Sequence, residues 1–145
     1  MQSVGGVRDP RWGGLLWEPW VELDDAVDTR GRIPRVQGIY RVRSRGRRGL
    51  LYIGLSGSLG SRLRRLHKAL DDPDGKWHYA GGCVAGHSAG RAVEVSWVRL
   101  EQIDRRELMG LEVDLIAAYR ASTRGKSPTC QFAGERLVDE LAASR

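Results

Sequence analysis

Two stretches of the chain, GIYRVR at residues 38–43 and GLLYIGL at residues 49–55, are rich in β-branched, aliphatic and aromatic side chains, and the polar, glycine-containing SRGRR lies between them. That pattern predicts a strand, a turn and a second strand. From Ser58 to Leu70 the period changes, with Leu59, Leu63, Leu66 and Leu70 recurring on one face of an amphipathic helix. Ser56 or Ser58 is available as its N-cap, and Arg64, Arg65 and Lys68 lie on its far side. AVEVSWVRL, with Val93, Val95 and Trp97 in alternation, predicts a third strand. Asp104 followed by Glu107 has capping-box spacing. Leu108, Leu111, Leu115, Ile116 and Tyr119 then form the stripe of a second long helix that ends before STRGKSP.

The remaining segments are less regular. Residues 1–35 hold Trp12, Trp17 and Trp20 among glycines and prolines, and read as an arm packed on the core with one short helix near Val21 to Val27. Residues 71–91 read as a loop by composition, and a short final helix is expected from Gly134 to Ala143. The order β, β, α, β, α, α defines an α/β (α+β) domain over 36–145, preceded by the arm. At 145 residues the chain fits one compact domain.

Charge changes the picture. The net charge is +6, yet no Asp or Glu occurs between Thr29 and Leu70, a window that holds 12 of the 24 basic residues. Such asymmetry points to a polyanion-facing surface. Arg outnumbers Lys by 21 to 3, a bias that a GC-rich genome would also produce, although codon usage does not explain the missing acids. No 18-residue apolar run and no apolar leader centre are visible, so a cytoplasmic protein with no membrane partner is expected. Cys83 and Cys130 are too few for a disulfide framework and are read as reduced thiols.

The hairpin has a mirror in it. Pairing residues whose numbers sum to 92 sets Gly38 opposite Gly54, Ile39 opposite Ile53 and Tyr40 opposite Tyr52, with Gly46 at the turn. The two tyrosines then share one face of the sheet and the two isoleucines the other. Paired tyrosines are more often packing than chemistry, so other residues must decide. On the second helix Glu112 projects within the apolar stripe, and a carboxylate placed there needs an arginine or a metal ion as partner. On the first, Arg62 sits at the border of the leucine stripe, where it can reach solvent or bend towards the sheet. Two tyrosines, an arginine and a glutamate on a single sheet face would suit phosphodiester hydrolysis, which needs a cation for the developing charge and a group that takes a proton from water.

GIY at 38–40, YIG at 52–54, the following LSGSLGSRL with Arg62, and the helical Glu112 together resemble the GIY-YIG nuclease superfamily over about Gly38 to Phe132. The resemblance implies a three-stranded antiparallel sheet flanked by helices and a site that takes one divalent ion, Mg²⁺ or Mn²⁺. It implies Glu112 as metal ligand, Arg62 on the scissile phosphate, Tyr40 as base or water-positioning phenol, Tyr52 as an ordering hydrogen-bond partner, and Gly38 and Gly54 as motif glycines. Where many members carry a histidine about one turn after the arginine this chain has Leu66, with His67 one residue later as a possible auxiliary. Where members often finish on an asparagine, SPTCQF offers Gln131.

The expected activity is therefore a metal-dependent endonuclease acting on DNA, as a monomer or homodimer, with Arg41, Arg43, Arg64, Arg65 and Lys68 as phosphate contacts. The alternatives are the same scaffold reused as a small-molecule tailoring enzyme and a non-catalytic nucleic-acid-binding module. His67, His78, Cys83 and His87 match no standard zinc spacing. GLSGSLGS lacks the dinucleotide-binding glycine register, and RGKS has Arg120 where a phosphate loop needs its first glycine.

Overall fold

The structure, a computed structural model, describes residues 6–28 and 32–131. The final helix expected at Gly134 to Ala143 lies outside the described residues. Among the described residues a short 3-10 turn (Trp12–Gly14) is followed by β1 (Val21–Glu22), α1 (Leu23–Asp28), β2 (Gly38–Ser44), β3 (Tyr52–Ser56), α2 (Leu59–Asp71), α3 (Gly81–Ser88), β4 (Val93–Arg99) and α4 (Arg105–Ser122). No helix among the described residues is long and apolar enough to cross a membrane.

The strands form one antiparallel sheet in the order β1-β4-β2-β3. The expected three strands are all present, and a two-residue fourth, β1, adds to the outer edge of β4, with Val21 opposite Val95. Two residues are too short for any alternation to register, so the short helix expected near Val21 to Val27 is instead a strand at Val21–Glu22 followed by α1.

The two long helices start where their caps require. The Ser58 side chain accepts from the Ser61 N–H, and Asp104 accepts from the Glu107 N–H at 2.8 Å. Leu59, Leu63 and Leu66 of α2 are buried with Tyr40, Val42, Val93, Val95 and Trp97 on one face of the sheet. Leu108, Leu115 and Tyr119 of α4 are buried with Ile39, Ile53, Trp12 and Trp17 on the other. The sheet is thus sandwiched between two apolar layers, each fed by alternate residues of the same strands.

Several expectations need correction. The register of β2 and β3 is Gly38 opposite Ser56, Tyr40 opposite Gly54 and Val42 opposite Tyr52, two residues away from the mirror pairing. Gly46 does sit in the turn, with φ +84 and an Arg47 N–H donating to the Ser44 carbonyl. Beyond it, however, Leu50 and Leu51 are buried in the core before β3 begins, and the Leu51 N–H donates to the Val42 carbonyl at 2.7 Å.

Residues 71–91 are not all loop, since Gly81–Ser88 form α3. GGCVAGHS has two leading glycines and no apolar period, so tertiary packing makes the helix: a Cβ on Gly81 would collide with Ala69 of α2. Cys83 and Cys130 form a disulfide with Cα atoms 5.7 Å apart, which overturns the reduced-thiol reading. Separation along the chain says nothing of separation in space.

The acid-free window is also not a bare cationic surface. Arg43 Nε lies 2.9 Å from Glu94 Oε1, its cross-strand partner, and Arg45 pairs with Glu22 and Glu94. Strand pairing brings acids from outside the window onto its arginines. Arg41 is 1 % exposed, so it is no phosphate contact. Its guanidinium lies 4.3 Å from the Trp17 ring centre and 4.5 Å from that of Trp20, and Nη1 donates to the Val7 carbonyl at 2.7 Å. Burial, and secondarily the Arg43 charge, lowers its pKa to about 9. Trp17 Nε1 donates to the Trp12 carbonyl, so the tryptophans close over Arg41.

Candidate functional site

Because the register slips by two residues and not one, side-chain parity is kept, and Tyr40 and Tyr52 still emerge on the same face. They are diagonal neighbours, with ring centres 5.9 Å apart. The residue opposite Tyr40 is Gly54, and the reason is steric: a Cβ there would stand 2.6 Å from Tyr40 Cζ and Oη and from Tyr52 Cε2. Gly38 is required for the same kind of reason, since a Cβ would meet the Val98 carbonyl and Leu59. Both motif glycines make room for neighbours; neither has a positive φ.

A third ring completes the cluster. His78, in the segment between α2 and α3, packs edge-on against Tyr40 and Tyr52, with centres 6.2 and 5.3 Å away. Its Nε2 lies 2.7 Å from Tyr40 Oη, while Nδ1 accepts the Ala80 N–H at 3.0 Å. A backbone N–H can only donate, so the neutral imidazole carries its proton on Nε2 and donates it to the Tyr40 oxygen. Burial first, then the Arg62 and Arg65 charges, push the His78 pKa down to about 4. His78 is therefore neutral at pH 7.

Burial also raises the Tyr40 pKa well above that of an ordinary phenol, and Tyr52 and Glu112 raise it further, whereas Arg62 acts in the opposite direction. Residues from β3, α2 and α4 thus all act electrostatically on one hydroxyl. Arg62 and Glu112 are both half-buried. The apolar stripe of α4 packs on the sheet face opposite the one that α2 covers.

The auxiliary residues divide. His67 Nε2 lies 2.7 Å from Asp24 Oδ1, where it ties α2 to α1. Gln131 is buried and pairs with the backbone of Ile53 in both directions: Oε1 accepts its N–H at 2.8 Å and Nε2 donates to its carbonyl at 2.7 Å. Thr129 and Cys130 donate to the Leu50 and Leu51 carbonyls. Residues 129–131 therefore cover the free edge of β3 and hold the strand that carries Tyr52 and Gly54. Arg65 donates to the Trp77 carbonyl at 2.8 Å and Lys68 sits 4.7 Å from the Trp77 ring centre, while Arg64 is half-buried. Those two cations brace the segment that carries His78.

Sequence reasoning missed His78 as a partner of Tyr40. A histidine between two aromatics in KWHYAGG is a signal of burial in a polar segment, but nothing local says which ring it meets.

His78 also makes stability pH-dependent. Its folded pKa of about 4 lies below the ordinary 6.5, so the unfolded chain binds the proton first, and the contribution, complete above about 6.5, is lost as pH falls towards 4. Urea denaturation across that range is expected to give a shallower pH slope for His78→Gln than for the unsubstituted chain. Equal slopes would remove His78 from the account.

Among the described residues no three acidic, histidine or cysteine side chains group together, which does not fit a zinc site. A carboxylate and an arginine whose charges both reach one phenol do fit Mg²⁺, an ion that keeps several waters and takes the rest of its ligands from substrate phosphates. Glu112 would hold it.

Solved structures of the GIY-YIG N-terminal endonuclease domain of UvrC from Thermotoga maritima are similar in fold to this chain. The magnesium-bound form is 23% identical, covering 68% of this chain and 90% of that one with a TM-score of 0.45. A point mutant bound to its catalytic divalent cation is likewise 23% identical, with 68% and 89% covered and a TM-score of 0.45. No protein-family model matches the sequence, and no curated protein does.

Proposed function

We propose that the chain is a metal-dependent phosphodiesterase. Within that class it is read as a GIY-YIG endonuclease acting on DNA, with 36–145 as the catalytic unit and 1–35 as a bracing arm. The observation that carries the reading is the convergence on Tyr40: its oxygen accepts from His78, and the charges of Arg62 and Glu112, from two different helices, both act on it.

The roles follow from the environments. Arg62 binds the scissile phosphate and meets the charge that builds on its oxygens. Tyr40 orients the attacking water and takes its proton. A phenol raised by burial is a poor base alone, and two neighbours favour its deprotonated form: Arg62 through its charge and His78 through its Nε2–H. His78 thus supplies a histidine to Tyr40 from the α2–α3 segment, while Leu66 is buried in the core. Tyr52 packs both rings in place. Glu112 holds the divalent ion, which when bound polarises a phosphate oxygen.

Supercoiled plasmid incubated with the chain and Mg²⁺ or Mn²⁺ is expected to be nicked or linearised, and EDTA to stop it. Intact plasmid under both metals, with no RNA cleaved either, would overturn the reading.

A further inference from the structure

Tyr79, beside His78, is 61 % exposed. A tyrosine left that far in water contributes little to folding through burial. Other apolar residues are exposed too, among them Leu16, Met109 and Val113, and single exposed residues need no explanation. Three observations distinguish Tyr79 from them.

The first is rigidity. Its neighbours His78 and Ala80 are both buried, the Ala80 N–H donates to His78 Nδ1, and the Gly81 N–H donates to the His78 carbonyl at 3.2 Å. Arg65 grips the same segment through the Trp77 and Lys76 carbonyls at 2.8 and 3.3 Å. An exposed ring is thus mounted on a fixed backbone. The second is the company it keeps, since the Arg62 guanidinium carbon lies 5.8 Å from the Tyr79 ring centre, inside the range over which a cation and a ring attract. The third is that its neighbour along the chain is the histidine that holds Tyr40.

We propose that Tyr79 is a stacking platform for a nucleic-acid base, and that the preferred substrate carries an unpaired base next to the phosphate held by Arg62. The inference rests on the endonuclease reading above. A phosphate on Arg62 has its nucleoside one sugar away, and the Tyr79 ring lies 5.8 Å from the guanidinium, within such a reach. Bases inside a B-form duplex already stack on both faces, so only a single strand or an extruded base offers a free face to the ring. Arg65 and Lys68 around Trp77 continue the alternation of cation and aromatic that single-strand binders use.

The test measures binding in EDTA, so that nothing is cut. Fluorescence anisotropy would compare a single-stranded oligonucleotide with the same sequence as a duplex, for the unsubstituted chain, Tyr79→Ala and Tyr79→Phe. Tyr79→Ala is expected to weaken single-strand binding about 5- to 100-fold, leave duplex binding within about twofold and leave the salt dependence unchanged, because stacking releases no counterions. Tyr79→Phe keeps the ring and should bind within about twofold of the unsubstituted chain. A 2-aminopurine base in the oligonucleotide should be quenched by the unsubstituted chain and by Tyr79→Phe, and not by Tyr79→Ala. Equal loss on both DNA forms, or no loss, overturns the stacking role while plasmid cleavage with Mg²⁺ leaves the endonuclease reading standing. Absence of binding and of cleavage overturns both.

Discussion

Glu112→Ala is expected to lower plasmid cleavage at saturating Mg²⁺ by at least about 10³-fold, the loss of several kcal/mol of transition-state stabilisation that a bound divalent ion supplies. Glu112 is half-buried on a long helix whose packing rests on Leu108, Leu115 and Tyr119. Alanine is a strong helix former, so the fold should survive, and an unchanged far-ultraviolet circular dichroism spectrum checks this. Glu112→Gln keeps the shape without the charge and should fail equally, which separates ion binding from packing. Cleavage by either variant at near the original rate would remove Glu112 as the metal ligand. Cleavage that is lost but restored by much higher metal concentration would instead place the carboxylate in ion affinity alone.

Reducing the Cys83–Cys130 bridge is expected to lower folding stability by about 4 kcal/mol on the chain-entropy account, because the two cysteines are 47 residues apart and the bridge closes a long loop in the unfolded chain. The measurement is denaturant unfolding with and without dithiothreitol, with Cys83→Ser as the variant that should no longer respond to reductant. The loss should also be local. Cys130 donates to Leu51, and its neighbour Gln131 clamps Ile53, so reduction should increase hydrogen exchange at Ile53 more than at Val95 in the middle of the sheet. Coincident unfolding curves in the two conditions would show that the native contacts, and not the bridge, hold the β3 edge.

The residues that make up the candidate site were legible for different reasons. The sharing of a face by Tyr40 and Tyr52 follows from side-chain parity, which survives a two-residue slip of register. The slip itself was not legible, because Leu50 and Leu51 look like strand residues and in fact precede β3, each buried in a different core layer. Glu112 and Arg62 could be assigned to helices by period and cap, yet their common action on Tyr40 depends on how α2 and α4 pass the sheet on opposite sides. His78 and Gln131 were harder. One sits in a polar segment and the other beyond the last predicted strand, and each is defined by a hydrogen bond to a residue far away in sequence. Arg41 reads as a phosphate contact in the sequence because the acid-free window gives no sign that Trp17 and Trp20 lie over it.

Local order was therefore written in the sequence. The Ser58 and Asp104 caps, the leucine and apolar stripes of α2 and α4, the alternation in β4 and the turn at Gly46 are each set by residues within a few positions of one another, and short-range forces suffice to specify them. Four things depended on distant parts of the chain meeting. These are the β2–β3 register, the formation of α3 against Ala69, the neutralisation of Arg43 and Arg45 by Glu22 and Glu94, and the closing of Cys83 on Cys130. Each is an energy between groups whose separation along the chain leaves no periodic trace, so only the folded structure could decide them.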